Sequence, residues 1–114
     1  MSDPEFVEAV LAVVELVPVG RVVTYGDIAW ALGSNAPRAV GKVMSHYGST
    51  VPWWRVVGAS GVPAQGLSAR ALPHYLEEGT PLRGNPVPDE YRIAMRSARL
   101  GYDHEIYQGE EVAP

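Results

Sequence analysis

The sequence predicts a mainly α-helical domain of the winged helix-turn-helix kind, with one short β element. Two helices joined by a tight turn can be recognised over residues 25–47 from their caps and apolar spacing. A β-branched pair at 56–57 precedes a Gly-rich turn, which is typical of a short strand leading into a hairpin or wing. The chain has 114 residues, 46% of them apolar, which suits one small domain with a core of its own.

The first two helices follow from local signals. An Asp-Pro pair begins a helix over about 4–17, whose apolar residues recur at helical spacing until a Pro and a Gly end it. After a short β-branched stretch, Thr24 is placed to cap a second helix over 25–32. Gly33 comes directly after that helix, at the position where glycine commonly ends a helix.

The third helix, predicted over about 36–47, has an apolar stripe and a basic face. Its expected buried stripe consists of Val40, Val43, Met44 and Tyr47. The other face carries Arg38, Lys42 and His46 among the small residues Ala39, Gly41 and Ser45. Such a face can approach another surface closely and add positive charge to the contact. The same pattern also fits a solvated helix side on which Gly41 packs against a neighbouring element.

An aromatic and basic segment over 48–58 follows the third helix. Two adjacent tryptophans, Trp53 and Trp54, point to opposite sides if the segment is extended, so that one lies in the core and the other faces a cleft. The alternative is that both belong to the core. The valine pair that comes next is expected to form a buried strand, and a turn at 58–61 is expected to support a small hairpin or wing.

Two more helices are predicted in the last part of the chain. Ser68 is expected to cap a helix over about 69–78. A loop over 81–88 then leads into a last helix, opened by a Pro-Asp-Glu sequence and ending near residue 100.

The net charge of −4 is unevenly distributed. Residues 1–17 hold four acids and no base, residues 18–76 hold five bases and one acid, and residues 77–114 hold eight acids and four bases. The electropositive middle suits weak, salt-sensitive docking on a polyanion, although sparse surface charges can also segregate by chance. The acidic, Gly-rich residues 101–114 are expected to fray as a tail beyond a single domain over 1–100.

The residue inventory argues against several classes of site. The chain has no cysteine, which excludes disulfides, thiolate nucleophiles and Cys-ligated metals. Its three histidines lack metal-binding spacing, and the hydrolase-elbow and nucleotide-loop motifs are absent. No apolar run approaches the ~18 residues of a membrane helix, and the N-terminus has acids where a signal peptide has bases. We therefore expect a cytoplasmic protein without a cofactor, a metal or a membrane contact.

Three segments in the middle of the chain form an ordered set. They read Val-Thr-Tyr-Gly-Asp-Ile-Ala at 23–29, Pro-Arg-Ala-Val-Gly-Lys-Val-Met at 37–44 and Val-Pro-Trp-Trp-Arg-Val-Val-Gly at 51–58. In this order they resemble the C-terminal DNA-binding domain of the O6-alkylguanine-DNA alkyltransferases, over about residues 5–79. That family has Pro-Cys-His-Arg-Val in the third segment, where Cys accepts the alkyl group and His activates it. With Trp53 in place of the acceptor Cys, the chain resembles the alkyltransferase-like proteins, which bind alkylated guanine without repairing it, although those relatives usually keep His where Trp54 stands.

The resemblance implies roles for the matching residues. Arg38 corresponds to the finger that fills the stack after a base is extruded, and Tyr25 to the tyrosine that crowds the 3′ phosphate of the flipped nucleotide. From its position alone, Tyr25 could also be a core residue at the start of a helix. Trp54, in place of the relay histidine, is expected to be a packing replacement. The expected DNA-binding residues are Tyr25, Arg38, Ala39, Gly41, Lys42 and Ser45, and the expected lesion pocket is formed by Pro52, Trp53, Arg55 and Val56.

By the same resemblance, the expected function is non-catalytic recognition of O6-alkylguanine. The recognition helix would lie in the minor groove, where small side chains fit and little sequence is read. An indole is no acceptor for an alkyl group, so no methyltransferase activity is expected. The expected partners are double-stranded DNA containing O6-alkylguanine, bound by a monomer, and nucleotide excision repair proteins that act on the flagged site.

Two further features of the sequence depart from the family pattern, and two other functions also fit the sequence. The asparagine that precedes the third segment in the family has no clear match here, and the loop 62–67 lacks the basic residue that alkyltransferase-like relatives often place there; Arg70 comes only later. One rival is a sequence-specific winged helix-turn-helix transcription regulator that reads the major groove. The other is an enzyme, a degenerate alkyltransferase or hydrolase that uses another nucleophile.

Overall fold

Residues 3–108, which the computed structural model describes, form five α-helices and two small sheets. The helices are α1 (Pro4–Leu16), α2 (Tyr25–Ala31), α3 (Pro37–Tyr47), α4 (Ser68–Glu78) and α5 (Met95–Ala98), and the strands are β1 (Val23–Thr24), β2 (Val56–Val57), β3 (Leu82–Gly84) and β4 (Tyr91–Ile93). Single 3-10 turns cover Gly48–Thr50, Trp53–Arg55 and Glu105–Tyr107. The predicted mainly helical class with a short β element is confirmed.

Two apolar clusters hold these elements together. The larger cluster joins α1, α2 and α3 and includes Val10, Val14, Ile28, Val40 and Val43. The smaller cluster joins β2, α4 and the β3–β4 hairpin and includes Val57, Leu72, Tyr75, Tyr91 and Ile93. Each such side chain contributes about 1.5–3 kcal/mol when it leaves water. Tyr25 packs on the larger cluster and Trp53 on the smaller one, so the two residues are anchored from different sides.

The predicted caps of the first two helices are confirmed. Thr24 Oγ1 accepts a hydrogen bond from the Asp27 backbone N–H at 2.9 Å, and Asp27 Oδ2 accepts one from the Thr24 N–H at 3.0 Å. This reciprocal capping box closes the N-terminus of α2. The Asp3 side chain accepts from the Glu5 N–H at 3.1 Å, and Gly33 follows α2 with a φ of +70°.

The apolar stripe of α3 is shorter than predicted. Val40 and Val43 are fully buried and Met44 is partly buried, but Tyr47 is 49% exposed. Met44 folds over Gly48, where an added Cβ would lie 3.0 Å from Met44 Cε. Met44 therefore closes this end of the stripe, and the ring of Tyr47 is left in solvent because it stands on the last helical residue.

The predicted strand at 56–57 exists, but its partner is β1 and not a hairpin strand. The parallel register pairs Val23 with Val56 and Thr24 with Val57. The turn at 58–61 leads into a loop, so the hairpin expected there is wrong. The pairing matters for function because β1 runs directly into Tyr25, whereas β2 follows the turn that begins with Trp53.

The hairpin of this fold lies later in the chain, where a loop and a helix were predicted. Strands β3 and β4 pair antiparallel, with Leu82 opposite Ile93. Tyr91 and Ile93 are buried and Arg92 between them is exposed, which is the alternation of a strand. The predicted helix is therefore wrong over 88–94, and only Met95–Ala98 of it is helical. Strand β4 forms because it pairs with β3. Local sequence signals do not show such a contact between separate segments of the chain.

Two smaller expectations near the end of the chain are also corrected. Ser68 is the first residue of α4 and not its cap, because its Oγ accepts a hydrogen bond from the Asp89 N–H at 2.8 Å. Residues 101–108 do not fray, because Ile106 is buried in the larger cluster. Residues 109–114 of the predicted tail lie outside the described residues. Among residues 3–108, none of the helices is long and apolar enough to cross a membrane.

Candidate nucleic-acid interface

A cavity of about 450 Å³ opens between α3, the Trp53 turn and the start of α4. Four of the residues predicted for the site line it: Tyr25, Gly41, Ser45 and Trp53. Its volume falls within the range of protein sites that enclose small organic groups. The structure thus brings together members of both predicted sets, one from the helix-turn-helix face and one from the aromatic segment.

Tyr25 is fixed at one wall of the cavity. It is the first residue of α2, directly after the capping threonine. Its ring lies against α3, where an added Cβ at Gly41 would be 3.9 Å from Tyr25 Cδ1. Burial raises the pKa of the Tyr25 phenol, so the hydroxyl is neutral at physiological pH and can donate a hydrogen bond. The side chain is half-buried and combines the packing role with an accessible cavity face.

Trp53 also lines the cavity. It begins a 3-10 turn, so the expected extended segment with alternating tryptophans is wrong. Trp53 and Trp54 are both half-buried and meet edge to face, with ring centroids 5.5 Å apart. The guanidinium of Arg70 lies 5.8 Å from the centroid of the Trp53 ring, within cation–π range. Trp53 therefore presents an apolar π surface with a cation beside it.

Trp54 and Arg55 are tied together by a carboxylate from α4. Glu78 accepts hydrogen bonds from Trp54 Nε1 at 2.9 Å and from Arg55 Nη2 and Nε at 2.7 and 3.1 Å. Arg55 Nη1 also donates to the Val17 carbonyl, and the Trp54 ring stacks on His74 with centroids 3.6 Å apart. The expected packing role of Trp54 thus corresponds to a hydrogen-bonded position next to Trp53 and outside the cavity lining.

Three residues of the predicted lesion pocket do not line the cavity. Arg55 is engaged with Glu78, Val56 is buried in the core at 2% exposure, and Pro52 precedes the 3-10 turn without reaching the space. Their role in the structure is to hold the turn that presents Trp53. The motif alone does not show which of its residues face the cavity, because a 3-10 turn rotates successive side chains by about 120°.

The exposed face of α3 continues outward from the cavity. Arg38 and Lys42 are exposed, and within residues 3–108 neither forms a salt bridge. Ala39 is half-buried and lies outside the cavity lining. His46 Nδ1 is 2.9 Å from the Lys42 carbonyl. Beside the cavity, α3 therefore carries two cations that have no salt-bridge partner in the described part of the chain, on a helix with little side-chain bulk.

Several cavity residues were missed by the sequence analysis. The additional lining residues are Met44, Gly48, Ser49, Ala64, Gln65, Leu67 and Arg70. Three of them, Ala64, Gln65 and Leu67, belong to the loop before α4, whose position depends on contacts far away in sequence. Arg70 supplies the cation that the loop 62–67 lacks, because it stands in the first turn of α4 and reaches back to Trp53. The sequence signal for this role was that Arg70 stands in the first turn of the helix that follows the loop.

The Glu78 network predicts how stability depends on pH. Burial raises the pKa of Glu78, but hydrogen bonds from Arg55, Gly20 and Trp54 outweigh it and bring the pKa below its ordinary value. A carboxyl group of this kind stabilises the fold above its unfolded pKa and loses that contribution as the pH falls through the folded pKa. We expect the free energy of unfolding in urea to fall between pH 7 and about pH 3.

Glu78→Gln is the control for this prediction. The variant is expected to show a shallower loss of unfolding free energy over the same pH range, with the remaining slope due to Asp27, whose pKa is also lowered. A variant with the slope of the unmodified protein would show that Glu78 contributes nothing to the pH dependence.

Comparison with known families decides what this fold is. The family model for the DNA-binding domain of 6-O-methylguanine DNA methyltransferase matches residues 5–75. The chain belongs to this family. The matched residues include Tyr25, the α3 face and the Trp53 turn, and they end before the hairpin and the C-terminal segment.

Relatives within the family carry a name that describes an action on DNA. Two proteins called DNA base-flipping protein are similar to the chain. The one from Escherichia coli (strain K12) is 44% identical over 63 residues, covering 53% of this chain and 49% of the relative. The one from Vibrio parahaemolyticus serotype O3:K6 (strain AQ3810) is 38% identical over 60 residues, covering 50% and 60%. The chain thus spans about half the length of the first of these curated relatives.

Solved structures of an alkyltransferase-like protein match over most of the chain. S. pombe Atl1, in complex with damaged DNA containing O6-carboxymethylguanine, is similar with a TM-score of 0.73 and 30% identity, over 89% of this chain and 99% of that one. S. pombe ATL in complex with DNA matches with a TM-score of 0.72 and 30% identity over the same shares. The resemblance to alkyltransferase-like proteins and the helix-turn-helix-like DNA-binding fold are confirmed.

Proposed function

We propose that this protein recognises O6-alkylguanine in duplex DNA by extruding the damaged nucleotide into the cavity beside Trp53, and that it leaves the alkyl group in place. The observation that carries the proposal is the cavity itself, which joins Tyr25 and Trp53 on a helix-turn-helix face. Relatives named for base flipping and a relative solved with O6-carboxymethylguanine DNA support the same conclusion.

The Trp53 side of the cavity suits a flipped alkylguanine. The indole face of Trp53 offers a stacking surface for the purine and an apolar contact for the alkyl group, of the kind worth about 1–3 kcal/mol per base. The Arg70 guanidinium, 5.8 Å from the centroid of the Trp53 ring, adds a donor and a positive charge to this side of the cavity. Extruding a base costs a few kcal/mol, and less for a damaged pair, which itself favours lesions over normal guanine.

The helix face beside the cavity suits the minor groove. Ala39 and Gly41 allow α3 to approach the sugar edges closely, and Ser45 can donate to a phosphate or sugar oxygen. Lys42 supplies a sequence-independent phosphate contact. Arg38 would enter the stack at the emptied position, where its planar guanidinium can stack and hydrogen-bond to the orphaned base. The degenerate code of the minor groove gives the low sequence preference that a lesion search requires.

The same geometry accounts for a protein that does not transfer the alkyl group. Transfer needs a soft nucleophile and a base that accepts its proton, and the family places Cys and His at these positions. Here Trp53 has no such nucleophile, and the Trp54 N–H is a donor already committed to Glu78. The turn therefore lacks both the nucleophile and the base that would accept its proton.

This predicts the outcome of restoring one residue or both. Trp53→Cys is expected to gain no alkyl group from an O6-methylguanine duplex, because Trp54 accepts no proton from the thiol. Trp53→Cys combined with Trp54→His is expected to gain about 14 Da, one methyl in place of a hydrogen, in intact-protein mass spectrometry. A +14 Da adduct on the single variant would show that the relay position is dispensable.

We also propose what happens after recognition. A sensor that cannot repair must hand the site to another pathway, and nucleotide excision repair is the pathway that removes a marked nucleotide. The protein would act there as a cytoplasmic monomer. Incision of an O6-methylguanine duplex by a reconstituted excision nuclease should increase when the protein is added, and unchanged incision would count against this role.

A further inference from the structure

The end of the described chain returns to the helix that presents Tyr25. Arg99 binds the Asp27 carboxylate with two hydrogen bonds, Nη2 to Oδ1 at 2.7 Å and Nε to Oδ2 at 3.1 Å. The Tyr102 hydroxyl donates to Asp27 Oδ1 at 2.9 Å and accepts from Arg99 Nη2 at 2.6 Å. We call this group of three side chains the α2 brace. Arg99 and Tyr102 lie outside residues 5–75, which the family model matches.

Asp27 connects the brace to the start of α2. The carboxylate is 2% exposed and also accepts the Thr24 N–H, so it closes the capping box that precedes Tyr25. Burial raises the pKa of Asp27, but the hydrogen bonds from Arg99, Thr24 and Tyr102 outweigh it, and the pKa is lowered. A buried, ionised carboxylate of this kind depends on its partners. Removing Arg99 therefore disturbs the cap of the helix and not only a surface contact.

The backbone around Arg99 is held against Val22, the residue before β1. The Val22 N–H donates to the Ala98 carbonyl at 3.0 Å, and the Leu100 N–H donates to the Val22 carbonyl at 2.9 Å. Arg99 stands between these two hydrogen bonds, so its side chain starts from a fixed point. The next turn of α2 is also covered, since the Trp30 ring packs on Tyr102 and Tyr107 with centroids 5.4 and 5.8 Å apart.

A helix as short as α2 needs such support if Tyr25, its first residue, presses against a phosphate. Helix α2 has seven residues, and isolated helices of this length are unstable in water. A tyrosine that crowds a phosphate while a nucleotide rotates out experiences an equal force in return. Without a brace, that force would fray the first turn of α2 and the nucleotide would stay in the stack.

We propose that Arg99 and Tyr102 are positioning residues for base flipping, because they hold the N-terminus of α2 so that Tyr25 keeps its place against the flipped nucleotide. The inference rests on the proposed function. It assigns to the C-terminal segment a task in recognition, although none of residues 99–108 lines the cavity.

The test separates flipping from binding. A duplex carries O6-methylguanine next to 2-aminopurine, whose fluorescence rises when its neighbour leaves the stack, and the affinity for the undamaged duplex is measured in parallel. Arg99→Lys keeps the charge but loses the two-point contact, and it is expected to lower the ratio of flipped to stacked nucleotide about three- to tenfold. Its affinity for undamaged DNA should be unchanged. Tyr102→Phe, which keeps the Arg99–Asp27 pair, should show a smaller loss of the same kind.

Coupling to Tyr25 distinguishes positioning from a general loss of structure. In a Tyr25→Ala background, Arg99→Lys is expected to change the flipped ratio no further, because the residue that it positions is gone. Arg96→Lys is the matched control, since Arg96 lies in α5 near Arg99 and forms no salt bridge within residues 3–108. It should behave like the unmodified protein.

The outcomes separate this inference from the proposed function. If the unmodified protein flips the lesion and Arg99→Lys and Tyr102→Phe flip it equally well, the positioning role is wrong and the proposed function stands. An equal loss in the Tyr25→Ala background would likewise overturn positioning, since the brace would then act independently of Tyr25. An unmodified protein that leaves the lesion stacked would overturn both.

Discussion

Arg38→Ala is expected to lower the affinity for a duplex containing O6-methylguanine by about 5- to 150-fold. The side chain is exposed at the start of α3, beside the cavity, and within residues 3–108 no carboxylate pairs with it. In the proposed mechanism, its loss would remove both the stacking that fills the emptied position and the hydrogen bond to the orphaned base. Stacking of this kind is worth about 1–3 kcal/mol, and 1.4 kcal/mol corresponds to a factor of ten.

Two further variants show which property of Arg38 matters. Arg38→Lys keeps the charge without the planar group, so it should lose most of the lesion affinity if stacking is the main term. Lys42→Ala should weaken damaged and undamaged duplexes alike and reduce the slope of log affinity against log salt by about one. Fluorescence anisotropy at several salt concentrations measures all three. An Arg38→Ala protein with unchanged lesion affinity would remove the finger from the mechanism.

Trp53→Ala is expected to lower the preference for O6-methylguanine over guanine by a similar factor, about 5- to 150-fold. The residue forms one wall of the cavity and is half-buried, so truncation removes the π surface against which the extruded purine would stack. The α3 face remains, and the affinity for undamaged DNA should therefore change little. Trp53→Phe, with a smaller ring, should fall between the two.

A substitution on an exposed apolar residue away from the cavity serves as a control for the removal of an apolar side chain. Leu76→Ala serves this purpose, because Leu76 lies on α4, is 57% exposed and does not line the cavity. It should bind both duplexes as the unmodified protein does. Competition titrations with matched duplexes give the preference directly. If Trp53→Ala kept the full preference for the lesion, Trp53 would be a packing residue and the lesion pocket would lie elsewhere.

Local signals were sufficient for the first two helices. The Thr24 capping box, the cap at Asp3 and the glycine after α2 all act within a few residues, so their effect can be read along the chain. The β3–β4 hairpin could not be read in this way. Its two strands stabilise each other across a gap in the sequence, and the Pro-Asp-Glu sequence before β4 imitates the start of a helix.

Only part of the candidate site could be predicted, because motifs identify residues but do not show the long-range contacts that position them. Tyr25, Gly41, Ser45 and Trp53 follow from motifs and meet in the cavity. The contacts that place them do not follow from motifs. Glu78 reaches Trp54 and Arg55 from more than twenty residues away, and Arg99 reaches Asp27 from 72 residues away. In the sequence, Glu78 and Arg99 look like ordinary charged surface residues. Only the fold shows which partners they bind.

A single titration tests lesion recognition most directly. One duplex, with and without a single O6-methylguanine, is titrated with the protein at one fixed salt concentration, and the DNA is recovered and digested afterwards. Tighter binding to the damaged duplex, with the methyl group still on the recovered guanine, is the predicted result. Equal affinity for the two duplexes would contradict lesion recognition and leave a general DNA-binding domain, and a methyl group transferred to the protein would contradict the absence of repair.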